Sequence, residues 1–148
     1  MLPLYKTTTK EETQELGRAL AQELHPGVLV TLSGDLGAGK TTLTQGILEG
    51  LGAEKPYTSP TFVIMKEYTL PKASISGIKR IYHVDTYRIE EKDLEHLGFE
   101  EWHSDPQGLV ILEWPERISG LLPEKRITIT LTQKGEQIRE VQLKLKEV

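Results

Sequence analysis

The sequence predicts an α/β fold in which a mixed, mostly parallel β-sheet carries helices on both faces. Two short apolar runs, 28–33 and 109–112, are typical of strands that are covered on both faces. Segments with a 3.6-residue apolar period alternate with these runs, which indicates helices packed on a sheet. Two pairs of strand-like segments are joined by turn residues and predict antiparallel hairpins, so the sheet is mixed.

The first predicted helix begins with a capping box. The Thr9 hydroxyl is placed to accept a hydrogen bond from a first-turn N–H, and the Glu12 carboxylate is placed to reach back. A short edge strand at 2–7 precedes this helix, and the His-Pro-Gly run at 25–27 ends it. Its core-facing residues recur with a 3.6-residue period and are Leu16, Ala19, Leu20 and Leu24.

Glycine, proline and changes of period bound the remaining elements. After the strand 28–33 we expect, in order, a helix from Lys40 to a stop at Gly52, an antiparallel hairpin within 57–70 and 78–89, short helices at 90–98 and 99–103, the strand 109–112 and a terminal hairpin within 125–148. No repeat or low-complexity linker divides the chain. The 148 residues therefore fit a single domain, 1–148.

Charge and composition exclude several classes of protein. The net charge is −4 and no dense run of Lys and Arg occurs, so we expect no strong direct binding of DNA or tRNA. The absence of cysteine removes disulfides and thiolate metal sites. No apolar run approaches the roughly 20 residues of a membrane-spanning helix, and the start shows no secretory signal. The expected location is cytoplasmic, without membrane attachment.

The segment GDLGAGKT at 34–41 matches the phosphate-binding pattern G-x-x-x-x-G-K-[ST] at every specified position. It leaves a predicted strand and opens a predicted helix, as a phosphate loop requires. Glycine lets the backbone turn its N–H groups toward a polyphosphate, and the helix N-terminus adds about half a positive charge. Lys40 would neutralise the β- and γ-phosphates, Thr41 would contact Mg²⁺, and Thr42 would donate to the α-phosphate. The alternative is a plain turn between a strand and a helix.

The base is predicted to be adenine. Guanine recognition would require an [NT]-K-x-D element, but no Asp here has Lys two residues before it and the sequence contains no Asn. ATP with Mg²⁺ is therefore the expected ligand of the loop.

Two acidic residues end predicted strands and are candidates for Mg²⁺ binding and catalysis. Asp85 ends RIYHVD and Glu113 ends LVILE, so both are expected at the sheet edge where the loop lies. A carboxylate at the end of a buried strand is costly unless it faces a cation or a cavity. The alternative for Asp85 is a turn cap, and for Glu113 it is an ion pair with a Lys or Arg. His83, two residues before Asp85, is interpreted as a sheet-face residue.

A third candidate is the segment TSPTF at 58–62. Ser59 and Thr61 flank a proline that stiffens the chain, so a hydroxyl is placed to contact Mg²⁺ or the γ-phosphate. The alternative is an ordinary loop that enters a strand. Trp114 follows Glu113 and by itself indicates packing. No arginine finger is evident; because such a group is worth about 10³–10⁵ in rate, we expect slow hydrolysis by the chain alone.

Four stretches together carry a family resemblance. GDLGAGKTTLTQGILEGLG, SPTFVIMKEY, YHVDTYRI and LEWPERISGLLP resemble the bacterial TsaE (YjeE) ATPases, in the same order, from about Thr9 to Pro123. The four together are far more specific than a phosphate loop alone. The resemblance implies a P-loop NTPase-like fold and a Mg²⁺-dependent ATPase, weak alone and stimulated by partners. It also implies work with TsaB and TsaD in building threonylcarbamoyladenosine next to the anticodon, with only indirect contact to tRNA.

The resemblance also assigns residues. The implied catalytic residues are Lys40, Asp85 and Glu113, and the implied Mg²⁺ ligands are Thr41, Asp85 and Glu113. The implied ATP-binding residues are Thr9, Gly34, Gly37, Ala38, Gly39, Lys40, Thr41, Thr42, Thr61 and Trp114. Within this set Thr9 would lie near the base, Thr61 would be a switch-like hydroxyl and Trp114 would lie beside the site. The alternatives are a small-molecule or nucleoside kinase, a nucleotide-dependent scaffold and a purely structural module.

Overall fold

A seven-stranded β-sheet forms the centre of the protein. The structure is a computed structural model and describes residues 4–35, 37–57 and 64–146. The strands are β1 (Leu4–Thr7), β2 (Leu29–Ser33), β3 (Met65–Thr69), β4 (Arg80–Asp85), β5 (Gly108–Glu113), β6 (Arg126–Gln133) and β7 (Arg139–Lys146). They lie side by side in the order β1-β7-β6-β2-β5-β4-β3.

Five of the seven strands point in the same direction. The neighbours β6, β2, β5 and β4 pair in parallel. β3 pairs antiparallel with β4 and β7 with β6, which confirms both predicted hairpins. β1 lies at an edge and pairs antiparallel with β7, so it shares the direction of the central strands. The prediction of a mixed, mostly parallel sheet is confirmed.

Helices cover both faces of this sheet. They are α1 (Lys10–Ala21), α2 (Lys40–Leu51), α3 (Glu91–Leu97) and α4 (Phe99–His103), and a 3₁₀ segment follows at Pro115–Leu121. On one face, Ile47 of α2 is buried in one core cluster with Leu32 and Ile111 of the sheet. On the other face, Leu94 of α3 shares a second cluster with Leu112. The prediction of helices on both faces is confirmed, and no helix in the described ranges is long and apolar enough to cross a membrane.

The start of α1 agrees with the prediction, but its end does not. The Thr9 side chain caps the helix by accepting the Glu12 N–H at 3.1 Å. The Glu12 carboxylate reaches back one residue further, to the Thr8 N–H at 2.7 Å, and the hydrogen bonds from Thr8 lower the pKa of Glu12. The helix ends at Ala21, so the predicted end at 25–27 is wrong. The reason is that the N–H groups of residues 22–24 donate to carbonyls three residues back instead of four.

The buried face of α1 also differs from the predicted one. The residues of α1 that are buried are Thr13, Gly17, Leu20 and Ala21. Ala19 was predicted to face the core and is exposed. The cause is close packing on α2, since a Cβ added at Gly17 would lie 2.4 Å from the Leu43 carbonyl oxygen. Because Gly17 faces α2, the buried stripe of α1 is rotated about the helix axis from the predicted one.

Candidate active site

The glycine-rich loop 34–41 joins β2 to α2 at the carboxyl end of the central strand. Gly34, Gly37 and Gly39 have φ angles of 149°, 83° and 101°, in the region that favours glycine. A Cβ at Gly34 would also lie 2.6 Å from the Leu131 carbonyl oxygen of β6. The loop therefore needs glycine for its backbone path, as the phosphate-loop interpretation requires. Ala38 of the loop is buried.

Helix α2 presents an uncapped N-terminus at this loop. Gly39 precedes the helix and provides no side-chain cap. The Leu43 N–H donates to the Gly39 carbonyl at 2.9 Å. The N–H groups of Lys40, Thr41 and Thr42 come before this bond and have no carbonyl partner within the helix. Together with the helix dipole they form a start that attracts anions.

The Lys40 side chain folds back across the loop. Its Nζ donates to the Gly34 carbonyl at 2.6 Å and lies 3.5 Å from the centre of the Trp114 ring. The residue is only 6% exposed. Burial lowers the pKa of Lys40, and the nearby charges, Glu113 first, act in the opposite direction. A buried ammonium that contacts a carbonyl and an aromatic ring is placed to receive an anionic group.

Asp85 and Glu113 lie side by side at the same edge of the sheet. They are opposite residues on the parallel strands β4 and β5, so the predicted convergence of strand ends is confirmed. Glu113 is buried and Asp85 is half-buried. Burial raises the pKa of Asp85, although its carboxylate accepts the Tyr87 N–H at 2.9 Å. Asp85 thus caps the following turn and also faces the charge of Lys40.

The partner of Glu113 is a residue that the sequence did not assign to the site. Glu113 Oε2 lies 2.7 Å from His83 Nε2, and both side chains are buried. The alternative of an ion pair between Glu113 and a Lys or Arg is therefore wrong. His83 is on the same sheet face as Asp85, as its spacing predicted, but it contacts a candidate catalytic carboxylate. The alternation of His83 with Asp85 indicated that the two side chains share a sheet face. It could not show that β5 would pair with β4 and bring Glu113 to His83.

Trp114 links the site to the surface. It has a left-handed backbone, with φ at 64°, and is the one residue other than glycine with positive φ in the described ranges. The Thr86 hydroxyl holds this turn by donating to the Trp114 carbonyl at 2.7 Å. The Tyr87 ring lies 4.8 Å from the Trp114 ring, and the Arg117 guanidinium lies 5.1 Å from the Tyr87 ring. The prediction that Trp114 lies beside the site is consistent with this stack.

A guanidinium also contacts the phosphate loop. Arg139 of β7 donates from Nη2 to the Gly37 carbonyl at 2.9 Å. From Nη1 it reaches carbonyls of the β6–β7 turn, at 3.1 to 3.2 Å, on Gly135, Glu136 and Ile138. Arg139 was not among the predicted site residues, because nothing local in the sequence connects β7 with the loop. The two come together only because β7, β6 and β2 are neighbours in the sheet.

A pocket of about 320 Å³ lies next to the loop on the α1 side. Its lining residues are Lys10, Thr13, Gly39, Thr42, Gln137 and Arg139. Thr9 immediately precedes this pocket, and its hydroxyl accepts the Glu12 N–H. Ser59 and Thr61 lie outside the described residues, as does Leu36 of the loop.

The residues present fit Mg²⁺ that is bound together with a polyphosphate. Across the described ranges, no group of three or more His, Cys, Asp or Glu side chains could hold a metal ion. Mg²⁺ is usually held by one or two carboxylates together with substrate phosphates and water. The carboxylates of Asp85 and Glu113 match that donor set, and their charges act on Lys40, the residue before Thr41 at the helix start.

The fold and the loop define a P-loop-like α/β protein, with the phosphate loop at the carboxyl edge of a mixed sheet. Residues 7–141 match the model of the family described as "Threonylcarbamoyl adenosine biosynthesis protein TsaE". The chain belongs to the TsaE family and so has this family's role in tRNA threonylcarbamoyladenosine biosynthesis.

Individual relatives agree with this assignment. The chain is similar to the tRNA threonylcarbamoyladenosine biosynthesis protein TsaE of Bacillus subtilis (strain 168), with 40% identity over 137 residues, 93% of this chain and 82% of the relative. The protein of the same name from Nostoc sp. (strain PCC 7120) is 38% identical over 137 residues, 90% of this chain and 80% of the relative. The crystal structure of Bacillus subtilis YdiB superimposes with a TM-score of 0.81 at 33% identity and covers 99% of this chain and 87% of that one. The resemblance seen in the sequence is confirmed.

Proposed function

We propose that this chain is a Mg²⁺-dependent ATPase that acts as a nucleotide switch on the TsaB and TsaD proteins during threonylcarbamoyl modification of tRNA. The observation that carries the proposal is the buried Lys40 ammonium at the glycine loop, with Asp85 and Glu113 beyond it. Its recorded Nζ contacts in the described ranges are a carbonyl oxygen and a ring. A buried cation with such partners is satisfied best by a phosphate.

The position of each residue suggests its role. Lys40 and the first N–H groups of α2 bind the β- and γ-phosphates, and Thr42 donates to the α-phosphate. Thr41, Asp85 and Glu113 would hold Mg²⁺, which would supply positive charge beside the transferring phosphate. Either Glu113 or Asp85 orients the attacking water. Thr61 lies outside the described residues, and on the family resemblance alone it is proposed as the hydroxyl that senses the γ-phosphate.

The adenosine end of ATP is assigned to the pocket beside α1. Gly39 and Thr42 line both this pocket and the start of the phosphate-binding helix, so a nucleotide held by the loop extends from there toward Lys10 and Gln137. Its volume of about 320 Å³ lies at the lower end of the range for small-molecule pockets. Thr9 fixes the start of α1 at this pocket and thus acts near the base.

The switch is assigned to the stack that begins at Lys40. A bound phosphate is proposed to draw Lys40 away from the Trp114 ring, which changes the packing of Trp114 on Tyr87. Tyr87 is 40% exposed, so the change reaches the surface. The Arg117 side chain, stacked on Tyr87, continues this path to the surface. Partner proteins would detect the nucleotide state on this surface. With a net charge of −4, the chain is expected to reach tRNA through those partners.

Lys40→Ala tests the proposal directly. The variant should lose ATP binding, measured by calorimetry, because the buried ammonium and its phosphate contact are both removed. Lys92→Ala is the matched control, since Lys92 is 75% exposed and lies far from the loop in the sequence. Unchanged ATP affinity in Lys40→Ala would refute the assignment of the loop.

Phosphate release decides between the enzyme classes. The wild type, alone and with TsaB and TsaD, is incubated with γ-labelled ATP and Mg²⁺. Inorganic phosphate whose release the partners accelerate supports the switch ATPase. Transfer of label to an acceptor molecule would indicate a kinase, and a hydrolysis-dead variant that still supports tRNA modification would indicate a scaffold.

A further inference from the structure

His83 and Glu113 form a buried pair to which the proposed mechanism assigns only one member. Their side chains are 2% and 6% exposed, and the distance from His83 Nε2 to Glu113 Oε2 is 2.7 Å. His83 Nδ1 is buried and has no hydrogen-bond partner in the part of the chain that the structure describes. The polar contact that the structure records for this imidazole is thus the one to Glu113.

The strand register places His83 one step along the same sheet face from the carboxylates of Asp85 and Glu113, further from the carboxyl edge. Asp85 lies opposite Glu113 on β4 and β5, and His83 lies opposite Ile111, which is fully buried. Residues two apart on a strand share a face, so His83 points to the same side as Asp85. His83 therefore lies on the same sheet face as the two carboxylates, beside the fully buried Ile111.

The unpaired nitrogen favours one arrangement of protons. A proton on Nδ1 would bury an N–H donor that has no acceptor in the described part of the chain, which is costly. A proton on Nε2 instead donates to Glu113 Oε2 at 2.7 Å, and Nδ1 then needs no acceptor. His83 then acts as a hydrogen-bond donor to the carboxylate.

The hydrogen bond from His83 uses only one of the two carboxylate oxygens of Glu113. Oε2 is held by His83, while Oε1 accepts no hydrogen bond from the described residues. The charge of Glu113 acts on Lys40 more strongly than that of any other group. The hydrogen bond to His83 thus leaves Oε1 uncommitted, on a carboxylate whose charge reaches Lys40 of the phosphate loop.

We propose that His83 is a positioning residue of the site. Its Nε2–H fixes the rotation of the Glu113 carboxylate, so that Oε1 is held toward the phosphate loop and the Mg²⁺ position. The catalytic effect of this positioning rests on the proposed ATPase function, whereas the hydrogen bond itself does not.

Two substitutions separate the hydrogen bond from the packing. His83→Leu fills the space without a donor, and His83→Gln offers an amide N–H near the position of Nε2. In His83→Leu we expect kcat for ATP hydrolysis to fall about 10- to 100-fold, as for other residues that orient a metal ligand, with the Kd for ATP changed by less than about twofold. His83→Gln should recover most of the loss. Thermal unfolding of each variant checks the fold.

A second measurement requires no turnover. Histidine side-chain ¹⁵N spectra of the wild type should show His83 with its proton on Nε2, and Glu113→Gln should shift that signal. The signal is assigned by its loss in His83→Gln. The other three of the four histidines serve as internal references.

The outcomes are distinct. Wild-type kcat in His83→Leu, or equal losses in His83→Leu and His83→Gln, would overturn the positioning role. If the wild type binds ATP but never hydrolyses it, even with partners present, the proposed ATPase function is refuted. The ¹⁵N spectra then test the hydrogen bond between His83 and Glu113 without any turnover. The same spectra test it if His83→Leu does not fold. A His83 signal unchanged by Glu113→Gln would overturn the inference.

Discussion

Replacing Gly46 by alanine is expected to push α1 and α2 apart. Gly46 lies within α2, and a Cβ there would lie 2.1 Å from the Gln14 carbonyl oxygen of α1. A carbon atom and a carbonyl oxygen approach no closer than about 3.3 Å, so the helices must separate by roughly 1 Å. The Gln14 carbonyl cannot move alone, because it accepts a hydrogen bond within its own helix.

The cost can be estimated from two opposing effects. Overpacking a tight interface costs about 1–3 kcal/mol, and contact with a backbone atom places this case at the upper end, about 3 kcal/mol. Alanine returns about 1 kcal/mol because it favours the helix over glycine. The net loss is about 2 kcal/mol of unfolding free energy, or a fall in Tm of about 4–8 °C for a domain of this size.

Urea and thermal unfolding followed by circular dichroism measure this change. Ala19→Gly, at an exposed position of α1, gives the helix-propensity effect alone and should cost about 1 kcal/mol. If Gly46→Ala were as stable as the wild type or more stable, the reasoning from the close contact would be refuted. Because α1 starts beside the pocket that contains Lys10 and Thr42, the displaced helix should also weaken ATP binding.

Three further substitutions test the site. Asp85→Asn should stabilise the fold at pH 7, because burial raises the pKa of Asp85 and its charged form costs stability above that pKa. The gain in urea unfolding should shrink as the pH falls toward 3.8, and a gain independent of pH would contradict this explanation. Arg139→Ala should weaken ATP binding by about tenfold in calorimetry, because the loop loses the contact at Gly37, whereas Arg88→Ala on an exposed turn should not. In a Trp102→Phe variant, saturating ATP should change the Trp114 fluorescence, because the phosphate draws the loop lysine from the ring; an unchanged spectrum would argue against that movement.

The strands and the convergence of the acidic residues could be predicted because their signals are local. β2 and β5 are short apolar runs, β4 and β6 lie within predicted hairpins, and parallel strands bring their carboxyl ends to one edge. Asp85 and Glu113 therefore had to lie near the start of α2 once the loop was identified. The register that places them directly opposite each other agrees with that prediction.

The remaining contacts join residues that are far apart in the sequence, so no local pattern predicts them. Arg139 meets Gly37 because β7 lies two strands from β2, and strand order was not read from the sequence. His83 meets Glu113 for a similar reason, since the register of β4 on β5 decides which side chains touch. Ala19 was placed on the wrong face because the helix rotates to bring Gly17 against α2. Packing between helices and pairing between strands therefore account for what the sequence left open.

The charges around the loop predict that ATP binds with a divalent cation. Lys40 and Arg139 contribute two positive charges at the loop, while four carboxylates, those of Asp35, Asp85, Glu113 and Glu116, act on Lys40. Free ATP would meet more negative than positive charge there, and bound Mg²⁺ offsets that excess. Removing Mg²⁺ with EDTA should therefore weaken ATP binding at least about tenfold in calorimetric titrations.

The carboxylates of Asp85 and Glu113 should be the cause of this dependence. Asp85→Asn combined with Glu113→Gln should bind metal-free ATP more tightly than the wild type does, and should gain little from added Mg²⁺. Glu95→Gln, an exposed carboxylate on α3, should retain the full dependence. Equal affinity of the wild type for ATP with and without Mg²⁺ would mean that the carboxylates do not face the phosphates, and their assignment as metal ligands would fail.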